Sequence, residues 1–559
     1  MMPDLPQSPT ALSPRQWLIV MVIAVAALLP GIFQVPVMDR DESRYSQASR
    51  QMLETGDFVD IRFQDVPRHV KPVGTYWLQA ASAQILGGGP DAGVWAYRVP
   101  SLLAALGIVA MTAWFAARLG GATAGMAAGI LIALALITSV EARTAKTDAL
   151  LVAAILAGQI ALHRIATHPE RPVGFFGGGV RSPAAFWLFH GLGVLIKGPI
   201  ITLVAGTTIL AWCLWNRDRE LLRRLYWLPG VALTLAVIAP WIVAISMKVG
   251  PAFLEEAVGH ALLGKVATGD DSHGAPPGYH TLAFLVTFWP GMALAAGGAV
   301  LAWTRRNSSD IRFLICWILP TFLVFEAVAT KLPHYTYPTY PALAVLAGLF
   351  LAGGLDLVAD GRARIAHRVI AVLAVLVSLV VAAVPIGAKL HLTGMVTPAA
   401  VVASVAGLVV VALMVRFLQS LSISRLVQLA VGVCVFYGLT FAVVAPSLDR
   451  LWIARSLVPV VAEARTCETG PLVSAGFSEP SMVFTFGTGT RLSDADGAVD
   501  ALAVDPACTV AVVERRQSEA FLAAVAARGL AVEAAGQVQG LNYSRGRDID
   551  ITVYRAAAQ

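Results

Sequence analysis

Residues 17–37, WLIVMVIAVAALLPGIFQVPV, carry no charge and lead straight into Met38-Asp39-Arg40-Asp41-Glu42-Ser43-Arg44-Tyr45. The apolar run is long enough to cross a bilayer as a helix. Charges held this close to hydrocarbon are costly and tend to be functional. Carboxylates and cations packed at a membrane surface suit the handling of a phosphate-bearing lipid. A second such cluster follows within the same loop, His69-Val70-Lys71-Pro72, opening into Val73-Gly74-Thr75-Tyr76-Trp77-Leu78. No small-residue cleavage site follows the first run, which therefore reads as a retained anchor and not a signal peptide.

The apolar character recurs along most of the chain. Of 559 residues, 57% are hydrophobic and 14% charged, against about 25% charged in a soluble chain. Thirteen spans are expected, at 17–37, 94–117, 121–140, 148–166, 183–196, 199–216, 226–247, 279–303, 311–330, 335–355, 366–386, 396–416 and 424–445. Alternate loops hold Arg118; Arg164, Arg171 and Arg181; Arg217, Arg219, Arg223 and Arg224; Arg305, Arg306 and Arg312; Arg362, Arg364 and Arg368; Arg416 and Arg425. The other loops hold Arg143, Lys146, Lys197, Lys248, Lys265, Lys331 and Lys389. The richer set marks the cytoplasmic side. The N-terminus is then expected in the cytoplasm, and loops 38–93 and 248–278 and the tail outside. The net charge of +6 is explained by arginines at cytoplasmic helix ends. No basic run is interleaved with aromatics, so nucleic-acid binding has no support.

The expected fold is a polytopic α-helical membrane body over 1–446 and a small soluble α/β domain over 447–559. Within the outer loop, Ser43–Leu53 and Val73–Leu86 are amphipathic and too short or too polar to span, so both are expected as interfacial helices. Gly56 ends the first and Gly87-Gly88-Gly89-Pro90 the second. In the tail, 471–477, 509–514 and 549–554 read as strands and 518–528 as a helix. Cys213, Cys316 and Cys434 fall in spans and read as packing residues. Cys467 and Cys508 each precede a tail strand, in a compartment expected to be oxidising; a disulfide between them is feasible but not required by the spacing.

Asp41 and Glu42 are the first candidates for chemistry, since a carboxylate at the membrane edge can act as general base on an acceptor hydroxyl. The plainer alternative is that Asp39, Asp41 and Glu42 cap the helix that follows. Arg44 lies three residues after Asp41 and shares its helical face. Lys71, Lys197 and Lys331 form a second set, each at the outer mouth of a span beside a Pro or Gly. A lysine suits a phosphate; one alone would read as snorkelling, but three beside broken backbone suggest a cavity. His260 and His273, with Glu255 and Glu256, sit in an outer loop without tight ligand spacing. Asp148 opens a span, either as a cap or holding Arg143 or Lys146 near the site. No P-loop, dinucleotide-binding glycine fingerprint, HExxH or Gly-x-Ser-x-Gly is present, so no nucleotide is expected.

Asp41-Glu42-Ser43-Arg44-Tyr45, Met52-Leu53-Glu54-Thr55-Gly56-Asp57, Lys71-Pro72 with Tyr76-Trp77, Lys197-Gly198-Pro199, Pro240-Trp241 and Lys331-Leu332-Pro333-His334-Tyr335 resemble, in order, the polyprenyl-phosphate-sugar glycosyltransferases of the GT-C type. The bacterial lipid A aminoarabinose transferases are similar, and the protein O-mannosyltransferases more distantly so. The resemblance implies an undecaprenyl-phosphate-linked sugar donor used at the periplasmic face of the bacterial inner membrane, with lipid A or another envelope glycolipid as acceptor. It implies that Asp41 is the catalytic carboxylate, with Glu42 beside it. Arg44, Tyr45, Lys71, Lys197, Lys331 and Tyr335 would then line the lipid-phosphate site. His260 matches a family histidine that helps hold a divalent metal ion. The family often places Glu directly before the Lys-Pro; Val70 stands there in this chain, which counts against a zinc site. Two other readings remain open: a protein O-glycosyltransferase with the same donor, and a lipid or sugar flippase. Charge concentrated on one face, without internal repeats, counts against the flippase.

Overall fold

The computed structural model describes residues 11–69, 71–170, 174–250, 274–359, 361–467 and 470–557. The first apolar run forms α1 (Pro14–Leu28), started by Ser13, whose hydroxyl accepts from the Gln16 amide while the Gln16 side chain accepts from the Ser13 amide. This reciprocal cap satisfies two helix-end donors. The loop after it builds α2 (Asp41–Thr55), a hairpin of β1 (Arg62–Phe63) and β2 (Val66–Pro67), and α3 (Gly74–Leu86). Helices stand at both positions where amphipathic segments were expected.

The next element, α4 (Val94–Leu134), is continuous by hydrogen bonding but is not one rod. Gly121 has φ 80°, a region open to glycine and strained for other residues. The chain folds back there. A Cβ built on Gly125 would stand 2.7 Å from the Ala117 methyl, and one on Gly129 would stand 2.8 Å from that of Ala113. Contacts between 113–117 and 125–129 require two antiparallel arms, close to the two spans expected at 94–117 and 121–140. Small residues let the arms approach closely, as packing in a membrane favours.

The body continues with α5 (Leu136–Ala142), α6 (Asp148–Thr167), α7 (Pro183–Lys197), α8 (Ile200–Asn216), α9 (Glu220–Arg224) and α10 (Trp227–Val249). Beyond the loop come α11 (Tyr279–Thr287), α12 (Met292–Thr304), α13 (Ser309–Ala327), α14 (Tyr340–Gly353), α15 (Gly361–Thr393), α16 (Pro398–Gln419) and α17 (Ile423–Leu439). Among the described residues, six helices are long and apolar enough to cross a membrane, and five shorter apolar helices accompany them. The run expected as one span at 279–303 is two helices, α11 and α12, interrupted at Phe288–Gly291. Pro290 has no amide proton for a continuous ladder, which accounts for the break.

The tail begins with α18 (Ile453–Ala464) and carries a five-stranded sheet in the order β4-β3-β5-β7-β6. Its strands are β3 (Leu472–Ala475), β4 (Arg491–Ser493), β5 (Val510–Glu514), β6 (Val532–Asn542) and β7 (Arg547–Ala556), with α19 (Pro480–Phe486), α20 (Ala495–Val504) and α21 (Arg515–Ala527) between them. Strands β3, β4 and β5 are parallel, and β7 joins antiparallel. Leu472, Val510, Val512, Ile551 and Val553 pack one face of the sheet against Ile453, Leu457 and Val461 of α18. Three strands and one helix of this domain were read from sequence. The longest strand, β6, was missed because Val532-Glu533-Ala534-Ala535-Gly536 has weak β-propensity and a bulge at Ala534/Gly536.

Cys467 and Cys508 are joined in a disulfide that closes a 41-residue separation ahead of β3 and β5. A cross-link of that span stabilises by about 2–4 kcal/mol. Replacing both cysteines by serine is expected to lower the stability of the outer domain by that amount. Limited proteolysis with and without reductant would measure it; protection equal to wild type would contradict the expectation.

Candidate active site

The first turn of α2 divides its two carboxylates by geometry. Arg40, the residue before the helix, has φ 66° and ψ −109°, a backbone conformation rarely adopted outside glycine. Neighbouring helical positions point about 100° apart. Glu42 therefore faces inward, and Asp41 is exposed. Glu42 is 1% exposed and engages Arg98 of α4 through both oxygens, each contact 2.8 Å. The Met38 and Ala145 amides also donate to it at 2.9 Å. Arg98, fully buried, spends its remaining donors on the carbonyls of Ile32, Val35 and Pro36. This saturated ion pair pins the start of α2 to α4 and to the segment before α6. The assignment of Glu42 to chemistry is corrected: neither oxygen is left for a substrate.

Beyond Asp41 the helix presents Arg44, half-buried, and Tyr45, 3% exposed. Tyr45 packs against Tyr76 of α3 with ring centroids 5.0 Å apart. Above this pair lies Arg68, whose guanidinium sits 5.2 Å from the Tyr45 ring and whose Nε donates to the Tyr76 hydroxyl at 3.2 Å. Burial and the positive charge of Arg68 lower the Arg44 pKa, and Asp41 opposes them. Glu479 of the tail also favours the Arg44 charge, and Asp41 acts on both Arg44 and Arg68. Tyr45, Ala48 and Met52 of α2 pack with Val73, Tyr76, Leu195, Trp241 and Ile245, which ties α2, α3, α7 and α10 into one wall. Gly74 makes this possible: a Cβ there would lie 2.8 Å from the Leu195 carbonyl. The turn carrying Lys71 is thereby set beside the end of α7, where Lys197 stands.

The opposite wall is a buried charge cluster around Asp148, the first residue of α6. Its Oδ1 accepts from Lys197 Nζ at 2.5 Å and lies 3.7 Å from His334 Nε2. Lys146 reaches Glu141 at 2.9 Å and Asp148 at 3.8 Å. Burial works against the Lys146 charge, but Glu141 and Asp148 outweigh it and raise its pKa, and Asp41 adds to the rise. That interaction, with the effect of Asp148 on Tyr45, sets the Asp148 cluster near the first turn of α2. Burial pushes His334 down to about 3, so its ring is neutral near pH 7.

Several expected positions are therefore revised. Lys197 is committed to Asp148 and acts first as an ion-pair partner. Lys331, 4% exposed, donates to the carbonyls of Glu326 at 2.7 Å and Val328 at 2.6 Å. It satisfies the orphan acceptors at the end of α13, so its role as a phosphate ligand is corrected to a helix cap. Tyr335 packs its ring 5.7 Å from Phe325 and 5.2 Å from His334, beside the cluster. His69 is bound to Asp60 at 2.8 Å and is 3% exposed, which commits it away from any ligand set. His260, with His273, Glu255, Glu256 and Val70, lies outside the described residues. Among the described residues no three His, Cys, Asp or Glu side chains converge as metal ligands. Arg68 and Glu141 carried no signal in the sequence reading, and Lys146 entered it only as one of two partners offered to Asp148. Arg68 stands one residue before the quoted His69–Pro72 stretch, and only its approach to Tyr45 and Tyr76 marks it.

The soluble domain covers this end of the body. The Asp39 amide donates to the Tyr543 hydroxyl at 2.6 Å, and Arg40 Nη2 donates to the Ser544 carbonyl. Both acceptors lie on the β6–β7 turn. Gln47 and Glu54 of α2 bond Thr488 at 2.6 and 2.7 Å. Arg50 donates to the Phe484 carbonyl at 2.6 Å and lies 4.2 Å over its ring. The C-terminal domain thus holds the backbone immediately before Asp41. Between the parts lies a cavity of about 290 Å³ lined by Asp39, Arg50, Asp91, Trp452, Arg455 and Ser481, among others.

Asp39 senses this docking. Burial raises its carboxyl from 3.8 to about 6. A carboxyl whose folded value exceeds its free value favours the folded, docked state while protonated. That contribution is whole below about pH 4 and is lost as pH rises through about 6. Asp39→Asn is therefore expected to stabilise docking at pH 7.5 by about 1–2 kcal/mol, after allowance for solvent screening, and to do little at pH 4. Thermal unfolding at both pH values would check it; an equal gain at both would contradict it.

Residues 70–243 match the family model described as dolichyl-phosphate-mannose-protein mannosyltransferase. The undecaprenyl phosphate-alpha-4-amino-4-deoxy-L-arabinose arabinosyl transferase of Aeromonas hydrophila is 27% identical over 352 residues, 62% of this chain and 61% of that protein. Its Aeromonas salmonicida counterpart is 28% identical over 351 residues, with 62% and 61% covered. The chain thus matches about 61% of the length of these curated relatives. A crystal structure of ArnT from Cupriavidus metallidurans bound to undecaprenyl phosphate superposes with a TM-score of 0.73 at 21% identity, over 97% of this chain and 98% of that one. That likeness extends through the outer domain and shows a shared fold. In fold along nearly its whole length, and in sequence over its larger part, this multi-pass chain resembles the GT-C glycosyltransferases that include ArnT.

Proposed function

We propose that this protein is an inner-membrane glycosyltransferase that moves a sugar from undecaprenyl phosphate to lipid A or another envelope glycolipid at the periplasmic face. The observation that carries the reading is the gathering of charges around the first turn of α2. An exposed carboxylate, Asp41, stands beside two guanidiniums on one side, and a lysine-rich ion-pair cluster faces it on the other. The relatives' names and the undecaprenyl phosphate in the similar structure support the donor class.

In the transfer, the bond between the anomeric carbon and the lipid-phosphate oxygen breaks, and its electron pair leaves with the phosphate. Fixed cations lower the cost of that developing charge, which is electrostatic catalysis. The acceptor oxygen forms the new bond to the anomeric carbon. If the acceptor is a hydroxyl, its proton passes to Asp41; if it is a phosphate, no proton is removed and Asp41 positions it. Arg44 and Lys71 are the cations proposed nearest the leaving phosphate. Lys197 and Lys146 contribute through the Asp148 cluster. The N-terminus is placed in the cytoplasm on the arginine distribution.

The test compares envelope glycolipids by mass spectrometry in cells with and without the gene. Loss of one sugar mass from lipid A or its core is expected on deletion. An unchanged glycolipid profile with loss of a protein-linked sugar would transfer the reading to protein O-glycosylation, and no change in either would overturn both.

A further inference from the structure

We infer that Arg68 and Arg44 form a two-guanidinium clamp for the lipid phosphate, with Arg68 fixed in orientation by the Tyr45–Tyr76 pair. This deepens the proposed function and rests on it. Arg68 lies between the β1–β2 hairpin and α3, and two independent contacts determine its plane. Its Nε donates to the Tyr76 hydroxyl at 3.2 Å, and its guanidinium lies 5.2 Å from the Tyr45 ring centroid. Both tyrosines are buried, at 3% and 0% exposure, and their rings pack with centroids 5.0 Å apart, tilted by 32°. A flexible cation has been made rigid, which reduces the entropy lost when it binds.

What Arg68 lacks, among the described residues, is a direct ion pair. Among the described residues no carboxylate lies within 4.0 Å of Arg68 or of Arg44. Elsewhere at this end of the molecule, buried cations are paired or capped: Arg98 with Glu42, Lys146 with Glu141, Lys197 with Asp148, and Lys331 with two carbonyls. With Nε spent on Tyr76, Nη1 and Nη2 of Arg68 make no other hydrogen bond among the described residues. Two like charges held together at a half-buried site repel, and a bound anion of charge near −2 would relieve that repulsion. A guanidinium fork matches a phosphate bidentately, as an ammonium cannot.

The test uses the full-length protein in nanodiscs and measures binding of undecaprenyl phosphate, with undecaprenol as the control that lacks the phosphate. Arg68→Gln is expected to weaken undecaprenyl phosphate binding at least tenfold and to leave undecaprenol binding unchanged. Arg68→Lys should recover only part of the loss. Tyr76→Phe, which frees the guanidinium without removing it, should weaken binding by a few fold. Wild-type affinity in a folded Arg68→Lys or Arg68→Gln protein would overturn the clamp. Wild-type protein that binds undecaprenyl phosphate no better than undecaprenol would instead overturn the functional reading beneath it.

Discussion

Asp41→Asn is expected to lower sugar transfer by about 10²–10⁴-fold when the acceptor is a hydroxyl, the range a positioned general base contributes. Lipid-phosphate binding and thermal stability should stay close to wild type. The reason is local. Asp41 is exposed on the first turn of α2, and among the described residues its side chain makes no hydrogen bond. The substitution keeps its size and removes a negative charge from beside Arg44 and Arg68. Affinity for an anionic lipid should therefore hold or rise while turnover falls. Single-turnover transfer together with equilibrium binding separates the two effects. A phosphate acceptor predicts a smaller loss, because no proton is then removed. Full activity in Asp41→Asn would remove this residue from the chemistry.

The neighbouring residue should behave in the opposite way. Glu42→Gln or Arg98→Leu is expected to destabilise the protein by about 3–5 kcal/mol, since either change leaves a buried charge without its partner. Arg98 makes five hydrogen bonds, two to Glu42 and three to the carbonyls of Ile32, Val35 and Pro36. Losing them frees the segment that aims Asp41. The signature is lower yield and a lower unfolding temperature, with activity lost in proportion to folded protein. A well-folded, inactive Glu42→Gln would contradict this and return Glu42 to the catalytic pair. Adjacent carboxylates thus give a paired experiment, one acting on turnover and one on folding.

The contrast also marks how far the sequence could be read. Spans and interfacial helices follow from apolar runs and from Gly and Pro punctuation, which are local. Hence α6, α7, α8 and α10 begin and end within two residues of expectation. The 279–303 run failed because hydropathy averages over a proline whose effect is on backbone hydrogen bonding. In the candidate site, Asp41, Arg44 and Tyr45 could be grouped from sequence because neighbouring turns of one helix carry all three. The fates of Glu42, Lys197 and Lys331 were not, because each is decided by a partner distant in sequence or by carbonyls at a helix end. Asp148 was read as a cap or a local partner of Arg143 or Lys146; its nearest partner is Lys197, 49 residues away. Arg143 instead donates to the carbonyls of Ala27, Pro30 and Ser139. The turn at Tyr543 and Ser544 carried no chemical signal, and its contact with Asp39 and Arg40 emerges only once the outer domain is docked.

The most direct test of the central claim is to quantify the polyprenyl-phosphate-linked sugar pool and the sugar-modified envelope products together, by mass spectrometry, in cells carrying wild-type protein or Asp41→Asn. Transfer from the lipid-linked donor predicts that Asp41→Asn cells accumulate one intact polyprenyl-phosphate sugar and lose the same sugar mass from an acceptor. Equal donor and product pools in the two strains, with both proteins folded in the membrane, would contradict it.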